Sequence, residues 1–381
     1  MKLEHLSKLL GLTLTCFLLV SSSCDKGGND PGGDPGNSFD DYDRAAMLEN
    51  YADNYILPAY DAFYVSCQDL HNAAVIFIFT TDQENLDALR TAWKNTLLIW
   101  QDVAFLELGP AANISLRSQV NLYPVDTNLI KDLIDQGSYD LQLPGNFVAK
   151  GFQSLDYLLY GVASDDAAIL EYYQTTPQAK DFINDVCLEL SAHSASVELQ
   201  WTSEYATDFV NNSSSNAQGS SVSNLLNALN LHYEAYIRKG KVGLPAGIFN
   251  GFSQMPMPGH VEAYYYGQSL PFLYRSVESF ATFMNGDAYV GNAEGNGFDD
   301  YVKFVDAKSN GEDMEVWMNA QFDIILAKID ELNDPLSQEV VDNNDEVSGV
   351  YEELQKLLPT LKVEMTDALG VMIEYQDTDG D

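Results

Sequence analysis

Residues 81–108, TDQENLDALRTAWKNTLLIWQDVAFLEL, carry the pattern that decides the fold. Leu86, Leu89, Trp93, Leu97 and Trp100 recur every three or four positions, which places them on one stripe of a helix with 3.6 residues per turn. Asp82 and Glu84 stand in the first turn, where the positive end of the helix dipole favours acid. The stretch therefore predicts one long amphipathic helix from Thr81 to Leu108.

The same spacing predicts helices over 41–66, 178–208, 224–236, 269–284, 298–308, 312–332 and 348–367. The 224–236 helix carries Leu225, Leu226, Leu229 and Tyr233, and Arg238, Lys239 and Gly240 supply the chemistry expected at its C-terminal end. Strand signals are sparse, so the fold class is all-α. A body running from residue 41 to the end is too long for one small core. The break is predicted at 210–222, VNNSSSNAQGSSV, which is small, polar and without apolar periodicity. It divides the body into two helical-bundle domains, 41–209 and 223–381.

The N-terminus reads as an export segment. Lys2 and Lys8 precede an apolar run from Leu9 to Val20, then Ser21, Ser22 and Ser23, then Cys24. This is a signal peptide over residues 1–23, too short for a stable membrane span, which needs about 20 apolar residues. The small residues before Cys24 resemble a bacterial lipobox, which makes Cys24 the lipidated first residue of the mature chain. Residues 24–40 are rich in Gly, Pro, Asp and Asn and read as a flexible tether with a reach on the order of 20 Å. Beyond it no second apolar stretch is expected to cross a bilayer, so the expected membrane contact is the lipid anchor.

Nineteen Lys and Arg face 57 Asp and Glu, a formal net charge of −38. Such an acidic surface excludes nucleic acid as a partner, because phosphate contacts need clustered Lys and Arg. It keeps the protein soluble and is not by itself a metal site. Of four cysteines, Cys16 leaves with the signal and Cys24 takes the lipid. Cys67 and Cys187 remain, either as a disulfide closing a loop of about 120 residues, worth up to about 5 kcal/mol, or as two buried thiols.

Residues 151–161, GFQSLDYLLYG, place two polar side chains in an apolar helical turn. Gln153 and Asp156 are three apart and share one face, while Phe152, Leu155, Leu158 and Leu159 cover the core side. The segment resembles the Gly-x-His-x-x-Glu signature of imelysin-like proteins, exported bacterial helical proteins tied to iron uptake and once classed as peptidases. Gly151 matches, Gln153 stands at the His position and Asp156 at the Glu position. Further segments resemble the same family in order: Tyr55 to Tyr60, Trp93 to Trp100 with Phe105 to Pro110, Tyr123 to Asp126, Lys241 to Gly247, Glu262 to Leu270, and Leu369 to Asp381. The resemblance implies a two-domain helical protein of the periplasm or outer membrane, with the signature helix near the domain interface. It also implies iron or another divalent cation as ligand and other envelope uptake components as partners.

The substitutions weaken that inheritance, since a neutral amide is a poor ligand for a transition metal. No His-Glu-x-x-His or Gly-x-Ser-x-Gly occurs, and His71, His193, His232 and His260 have no His or Cys at ligand spacing. The expectation is a non-catalytic binding component of iron or other nutrient uptake; the alternatives are a metallopeptidase of the family and a surface sugar-binding lipoprotein. Gln153 and Asp156 then either line a polar pocket or satisfy groups where two helices meet. Tyr264, Tyr265 and Tyr266 cannot all face inward on a helix, so at least one lines a surface or groove. The acidic tail from Asp377 to Asp381 lacks the distal Glu of a calcium loop and reads as solvated.

Overall fold

The computed structural model describes residues 38–291 and 293–375. The signal peptide, Cys24, most of the tether and the Asp377–Asp381 tail lie outside the described residues.

The body is helical, as the periodicity predicts, and Arg44–Phe79 is its longest helix. It runs 13 residues beyond the predicted end at residue 66, and within it Tyr51–Ile56 is a π-helical turn. Pro58 is the local cause. It has no N–H to offer the carbonyl of Asn54 four residues back, and the backbone N–H of Tyr289 takes that carbonyl at 2.9 Å. By length and composition alone this helix could cross a membrane, which the sequence reading did not anticipate. One face of it enters the core, with Met47, Tyr51, Tyr55, Phe63, Leu70 and Phe77 buried, while Val65, Val75, Ile76 and Phe79 are exposed.

Gln83–Val103 follows after a short turn, capped by the Asp82 carboxylate, which accepts the Asn85 N–H at 3.0 Å. It packs along Arg44–Phe79, and so does Pro177–Gln200 on another side. Leu86, Leu89, Trp93, Leu97 and Trp100 form its buried stripe as predicted. The helix ends at Val103, earlier than Leu108. In the second half, Leu270–Met284 packs on both Gln83–Val103 and Met314–Asp330, and Asn344–Pro359 covers the latter. Among the described residues the only strands are Lys308–Ser309 and Glu312–Asp313, an antiparallel pair joined by Asn310-Gly311, both at positive φ as a tight hairpin requires.

The predicted linker is packed rather than free. Arg44 donates from Nε to the Ser213 carbonyl at 2.9 Å and from Nη2 to that of Ser214 at 3.0 Å. Asn216 is buried and donates to the Tyr301 hydroxyl at 2.7 Å and the Leu369 carbonyl at 2.6 Å. Arg44 saturates two carbonyls of this segment and Asn216 returns a bond to the body, and the described residues form one compact unit.

Candidate functional site

Gly151–Asp156 is a single buried turn of α-helix that continues as a π-helical turn, Tyr157–Gly161. Gly151 starts it at φ +75°, with the Val120 carbonyl 2.2 Å from where a Cβ would lie. Only glycine supports both the dihedral and the approach.

Gln153 and Asp156 do share a face, and what they face is the backbone of residues 263–266. Gln153 is 2% exposed; its Oε1 accepts the Ala263 N–H at 2.9 Å and its Nε2 donates to Asn121 Oδ1 at 2.8 Å. Asp156 is 1% exposed and accepts the Tyr265 N–H on Oδ2 and the Tyr266 N–H on Oδ1, each at 2.8 Å. Burial pushes the Asp156 carboxyl up to about 7; the two N–H groups oppose the rise and the nearby Glu262 charge adds to it. Both halves of the chain thus meet through a latch of side chains from one and backbone from the other.

The latch continues into a buried polar network that sequence reasoning did not assign. Asn121 donates to Glu262 Oε1 at 2.7 Å, Gln101 reaches the same oxygen at 3.3 Å, and Lys241 Nζ pairs with Glu262 Oε2. Close by, Arg117 lies 3.8 Å over the Tyr236 ring and touches His232 Nδ1 at 3.1 Å. A guanidinium only donates, so Nδ1 accepts and the ring proton sits on Nε2. Burial first, then Arg117 and Lys241, hold this imidazole well below its ordinary pKa, so it is neutral. His232 is thus a buried, neutral ring at the edge of this network. Glu262 and Lys241 carried a signal only through the family segments that contain them.

A cleft of about 250 Å³ opens beside the latch, lined by Tyr123, Pro124, Asp156, Val261, Tyr264 and Tyr265 among others. Tyr264 is the most exposed of the three adjacent tyrosines, while Tyr266 packs edge-on against Trp93, so the run contributes two rings, Tyr264 and Tyr265, to a surface groove. The donor set does not fit a transition metal. Both ends of the Gln153 amide and both Asp156 oxygens are engaged by protein, and among the described residues no three His, Cys, Asp or Glu side chains converge.

Cys67 and Cys187 are both buried and free, on the adjacent Arg44–Phe79 and Pro177–Gln200 helices. Burial raises the Cys67 thiol to about 12.

The fold is shared with two solved structures. One is described as an iron-regulated protein A precursor from Parabacteroides distasonis, with a TM-score of 0.70 and 18% identity over 86% of this chain and 95% of that one. The other is an imelysin-like protein from Psychrobacter arcticum, with a TM-score of 0.67 and 15% identity over 87% of this chain and 97% of that one. A search of curated proteins finds no match. The imelysin family model matches residues 56–364, a span that holds the latch, its polar network and both helical halves, and the chain belongs to the imelysin family.

Proposed function

We propose that this protein is a lipid-anchored, non-catalytic binding component of nutrient uptake at the cell envelope, iron-related in its physiology, whose altered signature closes the two helical halves on each other instead of holding a metal ion. The observation that carries this reading is the engagement of Gln153 and Asp156 by Asn121 and by the backbone of Ala263, Tyr265 and Tyr266. Hydrolysis needs an activated nucleophile or a metal-bound water, and a carboxylate whose two oxygens each hold a backbone N–H is poorly placed to serve either. The iron link rests on the family and on the description of the Parabacteroides distasonis relative. The anchor rests on Cys24 and the preceding export segment.

Two measurements test the reading separately. Equilibrium dialysis of the purified mature protein against ferric and ferrous ion is expected to show no stoichiometric loading. Loading that disappears in a Gln153→Ala, Asp156→Asn double variant overturns the non-metal latch. Quantifying the protein in membrane fractions of its native cells, with and without an iron chelator, is expected to show a rise on starvation; an unchanged level removes the iron link.

A further inference from the structure

A second cavity, of about 600 Å³, shares no lining residue with the cleft at the signature. Its size lies within the range of small-molecule sites, roughly 300–1,000 Å³. Leu98 and Ile99 reach it from Gln83–Val103, Leu270 from Leu270–Met284, and Ile329 from Met314–Asp330. Tyr274 and Tyr289 add two aromatic rings to this apolar lining.

The polar part is built rather than incidental. Asp102 is 1% exposed and holds a fixed set of partners: Arg275 Nε at 2.6 Å and Nη2 at 3.0 Å, Ser279 Oγ at 2.5 Å and the Tyr289 hydroxyl at 3.2 Å. Among the described residues Arg275 is the one cation lining the cavity, and its charge is already spent, since Nη1 also donates to Glu278 at 2.9 Å. Against it stand four carboxylates, Asp102, Glu278, Asp330 and Asp334. The excess is felt locally: the Tyr274 phenol is held from ionising by burial and then by the charges of Asp330 and Glu278.

We propose that this cavity binds a small organic cation, an amine carrying an aromatic or aliphatic body. The body lies against Leu98, Ile99 and Leu270, and the ammonium faces Asp330, whose carboxylate, unlike that of Glu278, is not held by Arg275. The rings of Tyr274 and Tyr289 favour the same charge through their quadrupoles. An anion of the same shape meets a net negative wall and an arginine with no free charge to offer, so it is rejected. The inference is independent of the reading proposed for the signature latch.

Calorimetric titration of the purified mature protein with three probes of one shape tests it: phenethylamine, 2-phenylethanol and 3-phenylpropionate, which carry positive, zero and negative charge. Phenethylamine is expected to bind about fivefold more tightly than the alcohol, and the acid not at all, from one exposed ion pair. In an Asp330→Asn variant the amine is expected to fall about fivefold, to the level of the alcohol, while the alcohol is unchanged. Leu98→Trp, which crowds the apolar wall where the ligand body lies, is expected to weaken binding of both while the thermal melt stays cooperative. Equal binding of amine and alcohol by the wild type overturns the proposal, as does undiminished amine binding in the Asp330→Asn variant or the absence of any amine binding at millimolar concentration.

Discussion

Gln153 Oε1 accepts the backbone N–H of Ala263 at 2.9 Å across 110 residues of sequence, and it does so at the position where the family signature has a histidine. The amide offers an acceptor and a donor at once, and both are used, one for each half of the chain. Gln153→Ala strands the Ala263 N–H and the Asn121 carbonyl oxygen in a buried site, which is expected to cost about 2–4 kcal/mol. Urea unfolding measures it; a loss under 1 kcal/mol would mean that the latch contributes little. Gln153→His, which restores the family residue, is expected to give no zinc or iron affinity by calorimetry, because among the described residues no further His, Cys, Asp or Glu converges to complete a ligand set.

Asp156 makes stability depend on pH in the direction opposite to a salt-bridged acid. Its folded pKa of about 7 lies above the unfolded value of about 3.9, so between the two the folded state holds a proton that the unfolded state has lost. Stability therefore falls as pH rises through this window and is lowest above pH 7, where the buried carboxylate is charged in the native state. The full effect is on the order of 4 kcal/mol. Asp299, also pushed up to about 7 by burial, contributes with the same sign, so the informative quantity is a difference. Wild type minus Asp156→Asn, compared at pH 5 and pH 8 by urea unfolding, is expected to change by several kcal/mol. A difference constant with pH would place the Asp156 pKa in the ordinary range.

The helices were legible because burial stripes follow chain geometry: the Trp93 and Trp100 spacing and the Asp82 cap are local facts. Their ends were less so. Arg238, Lys239 and Gly240 look like a C-terminus, yet the π-helical stretch His232–Gly243 runs past them. Arg238 is buried and donates to the Tyr351 hydroxyl at 2.6 Å and to Gln355 at 2.7 Å, while Lys241 pairs with Glu262. At the site, the shared face of Gln153 and Asp156 could be read from a spacing of three. Their partners could not, since a backbone N–H from residues 263–266 leaves no mark on residue identity.

Lys241 and Glu262 are the buried ion pair behind the latch. Lys241→Met keeps the length and apolar stem but leaves a buried carboxylate supported by Asn121 and Gln101 alone, which is expected to destabilise the fold by about 3–5 kcal/mol. A Lys241→Met, Glu262→Gln double variant is expected to recover part of that loss, since the charge is then gone from both sides. Denaturation of the two variants side by side checks this, and a double variant worse than the single one would remove the ion pair as the cause.

Cys67 and Cys187 sit on helices that pack along each other, so an oxidising compartment gives them the opportunity to bridge. The thiolate is the reactive species, and burial raises both thiols far above neutral pH, so the native protein is expected to be silent toward a thiol reagent. Unfolding the mature protein in guanidinium without reductant is then expected to release two reactive thiols. None after unfolding, and two after reduction, would establish a disulfide between the helices. In that case removing it by Cys67→Ala, Cys187→Ala should lower stability by several kcal/mol, because the bridge would close a loop of about 120 residues.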